Sequence, residues 1–307
     1  LYAKEAMLSD KITLIDTPGH VGFSGEMERS LSALDAAILI ISAQDGVTGH
    51  TRTLWRLLEK YNVPTLIFLN KIDMPGLDKE KIEKEIISSL SDNIVSYPFS
   101  DIESIAEKDD EVLEKYLSGE EIKEEDISLM ISKRKLFPLL AGSALKNQGI
   151  RDILFVLEHF FKSKETTEDF GALLYKVSRD KTGKKLSHLK ITGGRLKAKD
   201  EIGGEKVDEI RIYNGEKCET VKEVEKGEVC AVVGLEKAKS GDTYGSYTKK
   251  EKNECEPVLI YSVSDTKNTD KSKLLRILKE IEEEYPEIKT RVISGDIQIM
   301  LTGQVQT

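Results

Sequence analysis

A chain of 307 residues, 39% hydrophobic and 33% charged with a formal net charge of −9, can build two or three cored domains beneath a heavily solvated surface. The negative balance excludes a chain coated in nucleic-acid-binding charge, though not a local basic patch. The three cysteines, Cys218, Cys230 and Cys255, are far apart and form no CxxC pair, which excludes a zinc or disulfide framework and suits a reducing cytosol.

In the first half, short apolar runs alternate with amphipathic stretches. KITLI (11–15), AAILIIS (36–42), PTLIFLN (64–70) and LFPLLAGS (136–143) read as buried strands. Between them, 25–33, 50–62, 77–90 and 150–162 repeat apolar residues at intervals of three and four, which predicts helices. Strands alternating with helices imply a parallel sheet covered on both faces. Leu1–Met7 is read as the end of an earlier helix. The run around Ala36–Ile41 is the longest apolar one and is far too short to span a bilayer. No signal-peptide pattern opens the chain, and the expectation is a cytoplasmic protein, monomeric and without a membrane partner. The charge-dense segment 107–126 reads as a solvated helix pair joined at Ser118-Gly119.

Beyond Thr166 the texture changes. From Phe170 to about Lys249, short alternating strands are punctuated by Gly193-Gly194, Gly203-Gly204, Asn214-Gly215, Lys226-Gly227 and Ser240-Gly241. Such regular turn signals predict a small closed β-barrel. Asn214-Gly215 reads as a type I′ hairpin turn, with positive φ at both residues. A third pattern follows: PVLIYSVS as a strand, 270–284 as a charged helix, and TRVIS and IQIMLTG as a hairpin around Gly295-Asp296. This β-α-β-β unit reads as a domain cut off at Thr307. The expected layout is 1–166, 167–252 and 253–307.

Three stretches at strand ends carry chemistry, since ligands of open α/β sheets sit beyond the carboxyl ends of the strands. In DTPGH (16–20), Asp16 can hold the water shell of Mg²⁺. Gly19 lets the backbone offer an N–H to a phosphate oxygen. In NKID (70–73), the Asp73 carboxylate can accept from both the N1–H and the exocyclic amine of guanine, a donor pair adenine lacks. A pocket built on such a pair rejects the wrong base by roughly 10⁴-fold. The stem of Lys71 can lie along the base, and Asn70 can tie neighbouring loops. In GSA (142–144), the N–H groups of Ser143 and Ala144 can meet the guanine O6. Each stretch alone has an ordinary reading: a turn for DTPG, a helix cap for NKID, a strand-to-helix loop for GSA. Their order on successive strand ends is what argues for a site.

DTPGH, NKID and GSA resemble the third, fourth and fifth motifs of translational GTPases. More narrowly, the chain resembles elongation factor G and the tetracycline-resistance ribosomal protection proteins. The likeness runs through MERSLSALDAAILIISAQDGV (27–47), EVLEKYLSGEE (111–121), FPLLAGSALKNQGI (137–150), ITGGRLKAKDEI (191–202) and GEVCAVVGLEKAKSGDT (227–243). A short segment between NKID and EKYLSGEE leans toward the ribosomal-protection branch. The resemblance implies a Rossmann-like GTPase domain of the P-loop class, a β-barrel, and a partial ferredoxin-like α+β domain. It implies GTP/GDP and Mg²⁺ as cofactors and the ribosome, through its large-subunit RNA, as activator. It places the nucleotide against Asp16, Thr17, Pro18, Gly19, Asn70, Lys71, Asp73, Ser143, Ala144 and Leu145, with Asp16 on the metal through water. It gives His20 the role of orienting the water that attacks the γ-phosphate.

The sequence departs from the family in two ways. DTPGHVDF is the usual run, and here Gly22 replaces the acid, which bears on hydrolysis rate rather than on nucleotide identity. No GxxxxGK[ST] phosphate loop and no switch threonine precede DTPGH, so the expectation is that upstream residues carry them. The competing expectation, from another class, is a binding module that docks on ribosomes without turnover. A GTPase of ribosome assembly or signalling is disfavoured by the expected barrel.

Overall fold

A computed structural model describes residues 4–9, 12–17, 24–164, 166–248, 259–263, 271–286, 288–293 and 296–301. The chain forms two compact units, one of Leu34–Lys164 and one of Leu1–Ala33 with Glu165–Thr307.

The Leu34–Lys164 unit is a parallel sheet flanked by helices. Its strands lie in the order Ala37–Ser42, Thr65–Asn70, Phe137–Ala141 and Ile94–Ser96, every pair parallel. Thr65–Asn70 is apolar almost throughout because both its faces are covered: Leu66, Ile67, Phe68 and Leu69 are all buried. The Gly49–Lys60 helix starts from a capping box between Thr48 and Thr51. It buries Trp55, whose ring meets Phe137 edge-on at 4.8 Å. Helices Lys79–Leu90 and Ile150–Phe160 also fall within the expected spans. The charge-dense segment is helical over Asp110–Leu117 and Glu124–Ser132, with Ser118 and Gly119 between. The Ile94–Ser96 strand and the Ile102–Ala106 helix were not legible, being three and five residues long.

KITLI corrects one expectation. Ile12–Asp16 pairs antiparallel with Lys4–Ser9 and belongs to the other unit, so it is neither a fully buried strand nor a member of the parallel sheet. Leu14 is exposed, while Ile15 packs with Ala33, Tyr175 and Val229. Lys4–Ser9 is a strand where an earlier helix was expected. Its Glu5 is buried, accepting hydrogen bonds from the Tyr175 hydroxyl and, at 2.8 Å, from His188 Nδ1. Two backbone contacts add to this: Gly215 N–H donates to Glu5 O and Met7 N–H to Asn214 Oδ1.

The second half of the chain is rich in antiparallel sheet. One sheet runs Lys217–Val221, Glu209–Asn214, Val229–Val233, Lys185–Gly193, Gly171–Arg179, Thr243–Gly245. Its core gathers Leu174, Leu189, Ile191, Ile210, Cys230 and Val232. The Asn214-Gly215 turn lies one residue later than expected. Asn214 pairs with Lys217, so the loop is Gly215-Glu216, and Gly215 alone has positive φ (+64°). That is the pattern of a type II′ turn rather than I′. Asn214 closes its strand instead, and its side chain serves Met7. A three-stranded sheet follows in the order Leu259–Val263, Asp296–Leu301, Lys289–Ile293, with the Lys271–Glu284 helix. Arg179 ties this helix to the larger sheet through Glu283 at 3.0 Å.

Candidate functional site

Asn70 and Ala141 end adjacent parallel strands, and NKID and GSA follow them. The backbone stitches the two loops together. Gly142 N–H donates to Leu69 O at 2.9 Å, and Ile72 N–H to Gly142 O at 3.2 Å. Asn70 supplies the side-chain tie: its Oδ1 accepts from Lys71 N–H (2.8 Å) and from Ala144 N–H (2.9 Å). Lys71 is exposed and has φ of +65°, a left-handed conformation unusual for a residue with a Cβ.

Asp73 stands beside Ser143, whose hydroxyl hydrogen-bonds its carboxylate, and 3.3 Å from Lys146 Nζ. The Ser143 hydroxyl foremost, then Lys146, hold the Asp73 carboxyl below the usual carboxylate range, against the smaller opposing push of burial. The Asp73 side chain keeps 18% of its surface and can therefore meet a ligand, whereas Ser143 is buried at 1%. The loop after Ser143 closes on itself through Ser143 N–H to Gln148 O (3.1 Å) and Gln148 N–H to Ser143 O (2.9 Å). Gly142 is what permits this closure, since a Cβ there would lie 2.2 Å from Gln148 O and 2.9 Å from the Phe68 ring.

Asn70, Lys71, Asp73, Ser143, Ala144 and Leu145 thus share one loop cluster. The N–H groups of Ser143 and Ala144, expected to be open to a ligand, both donate within the protein. Leu145 is 91% exposed, and its N–H has no protein acceptor among the described residues. Asp16 and Thr17 lie at the end of the Ile12–Asp16 strand in the other unit, Asp16 exposed. Pro18, Gly19, His20 and Gly22 lie outside the described residues. Lys146, Gln148 and the steric role of Gly142 were missed from sequence. GSALKNQG did offer the signal of a short turn between two glycines.

The family described as elongation factor Tu GTP binding domain matches residues 6–163. The chain belongs to this GTP-binding family. The chain is 29% identical over 374 residues to elongation factor G of Ureaplasma parvum serovar 3, covering 95% of this chain and 54% of that protein. To tetracycline resistance protein TetP of Clostridium perfringens it is 31% identical over 335 residues, covering 96% and 51%. To tetracycline resistance protein TetM from transposon Tn916 of Enterococcus faecalis it is 32% identical over 328 residues, again covering 96% and 51%. The chain spans about half the length of these curated relatives. A crystal structure of a protein from Thermus thermophilus superposes with a TM-score of 0.86 at 22% identity, covering 99% of this chain and 56% of that one. The fold therefore has a parallel-sheet GTPase domain followed by sheet-rich domains. Among the described residues, no helix is long and apolar enough to cross a membrane.

Proposed function

We propose that the protein is a cytoplasmic translational GTPase that binds GTP and GDP with Mg²⁺ and hydrolyses GTP on the ribosome. The observation that carries this is the Asn70–Asp73–Ser143 cluster beyond the ends of adjacent parallel strands. Asp73, kept ionised by Ser143 and Lys146, reads the N1–H and exocyclic amine of guanine. The Lys71 stem covers the base and Asn70 locks the two loops. The Leu145 N–H, which has no protein acceptor among the described residues, meets the guanine O6, with Ser143 and Ala144 shaping the loop that presents it.

Asp16, Thr17, Pro18 and Gly19 line the phosphate side. Among the described residues no group of three His, Cys, Asp or Glu side chains could cage a metal. A single exposed carboxylate at Asp16 fits Mg²⁺, which keeps most of its waters and takes its other oxygens from phosphate. Bound there, Mg²⁺ neutralises charge on the phosphates. His20 orients the attacking water, with ribosomal large-subunit RNA driving it into position.

The layout 1–166, 167–252 and 253–307 assigns the later segments to a β-barrel and a ferredoxin-like domain. The antiparallel six-stranded sheet and the strand–helix–hairpin order support this. The test is His20→Ala in the full-length gene product. Ribosome-stimulated GTP hydrolysis should be lost with GDP affinity kept within about twofold, since orienting a water adds nothing to ground-state binding. Unchanged turnover would remove His20 from the mechanism.

A further inference from the structure

A second site lies at the opposite end of the parallel sheet, where strands begin rather than end. A cavity of about 340 Å³ is lined by Trp55, Glu59, Asn62, Asn93, Arg134 and Phe137, among others. Asn62 and Asn93 precede the Thr65–Asn70 and Ile94–Ser96 strands, and Phe137 begins the third. The volume is at the lower end of those that hold small molecules.

Arg134 is the unusual member. It follows the C-cap Lys133 of the Glu124–Ser132 helix with φ of +56°, where glycine is the low-strain choice. Its guanidinium carbon lies 5.3 Å from the Trp55 ring centroid and 4.9 Å from that of Phe137. The Nη1 atom donates to Val63 O and, at 3.1 Å, to Thr65 Oγ1, both neutral acceptors. That clamp leaves the Nε–Nη2 edge without a protein acceptor among the described residues. This edge matches a carboxylate with two parallel N–H···O bonds. Arg134 is half-buried, and no carboxylate lies within ion-pair distance of it among the described residues; Glu59 lines the same cavity from an exposed helix position. The side-chain amides of Asn62 and Asn93 are likewise without hydrogen-bond partners among the described residues.

We propose that this cavity binds a small singly charged carboxylate, held by the Nε–Nη2 edge of Arg134 and hydrogen-bonded by Asn62 and Asn93. Among the lining residues Arg134 is the one cation and Glu59 the one carboxylate, so a single added negative charge seated on the fork is tolerated better than two, and this disfavours phosphates and polyanions. The site is separate from the loop cluster at the other end of the strands, so it does not depend on the nucleotide proposal.

Trp55 is the only tryptophan in the chain, so its emission reports on this cavity alone. The purified protein is titrated with acetate, butyrate and benzoate, with acetamide and benzamide as neutral controls and inorganic phosphate as competitor. A saturable Trp55 change with a carboxylate is expected, absent with the amides and unaffected by GDP. The affinity should fall at least about tenfold in Arg134→Lys, which keeps the charge and loses the fork. Asn93→Ala, at a position that bears no core packing, should weaken it severalfold and decides the matter where Arg134→Lys does not fold. No saturable change with any carboxylate, equal changes with the amides, stronger binding of phosphate, or undiminished affinity in Asn93→Ala would each overturn the proposal.

Discussion

Lys71 sits in a conformation that glycine adopts freely, with φ of +65°. A residue with a Cβ in that region costs roughly 1–2 kcal/mol relative to the right-handed alternative. Strain of this kind persists where the surroundings impose it, and it gathers at ligand clamps. Asn70 imposes it here, since its Oδ1 holds both the Lys71 and the Ala144 N–H. Lys71→Gly should therefore raise the unfolding free energy of the Leu34–Lys164 unit by up to about 1 kcal/mol while weakening guanine-nucleotide binding through loss of the covering stem. Urea unfolding and nucleotide titration read the two effects separately, and a loss of stability would show that the loop needs the lysine for its own sake. Gly142 behaves oppositely. Its Cβ would have to lie 2.2 Å from the Gln148 carbonyl, so Gly142→Ala should cost about 2–3 kcal/mol and loosen the Ser143 loop. Urea unfolding together with Asp73-dependent guanine selectivity checks that pair of losses.

At the scale of elements, the Lys4–Ser9 and Ile12–Asp16 hairpin is held to the large antiparallel sheet by one buried acid. Burial alone would push the Glu5 carboxyl up, yet the His188 charge and hydrogen bond and the Tyr175 hydroxyl outweigh it, with Lys176 adding a smaller pull. The folded carboxyl thus lies below its ordinary value. Its contribution is complete above the unfolded pKa of about 4.3 and is lost as pH falls through the folded pKa. Removing the charge from the pair, as in Glu5→Gln, should cost about 3 kcal/mol at neutral pH. It should also flatten the additional loss that the parent shows on acidification below about pH 4. Denaturant unfolding at the two pH values measures this, and equal acid sensitivity in both proteins would remove Glu5 as the source. The same hairpin marks the limit of sequence reading. Three strands of the parallel sheet were legible because 36–42, 64–70 and 136–143 are mostly apolar, with Thr65–Asn70 buried on both faces and Ala37–Ser42 covered less completely, Ile40 being 62% exposed. KITLI looks identical over five residues, and nothing local distinguishes a parallel partner from an antiparallel one. Nor does a charged run such as KEAMLS announce that its glutamate will be buried by a tyrosine and a histidine about 170 and 183 positions away. At the site, the contact between NKID and GSA followed from topology. Lys146 and the occupied N–H groups of Ser143 and Ala144 depended on loop geometry that spacing does not encode.

At the scale of the whole molecule, the motif residues are divided between the two compact units: Asp16 and Thr17 in one, Asn70 to Asp73 and Ser143 to Leu145 in the other. The base-reading loops thus belong to one unit, and the residues proposed for the phosphates and Mg²⁺ begin in the other. Two substitutions in the full-length gene product separate these roles. Asp73→Asn should cut GDP affinity and shift preference toward xanthine nucleotides, whose O2 offers an acceptor to the new amide. That loss should be independent of Mg²⁺, because the base is remote from the metal. Affinity of the parent should also stay level from about pH 5 to 8, because Asp73 titrates below the ordinary carboxylate range. Asp16→Asn should leave guanine preference intact and weaken GTP binding only when Mg²⁺ is present. An Asp16→Asn protein with unaltered Mg²⁺-dependent affinity would mean that the DTPG segment does not meet the nucleotide read by Asp73. The two halves of the proposed site would then belong to different functions.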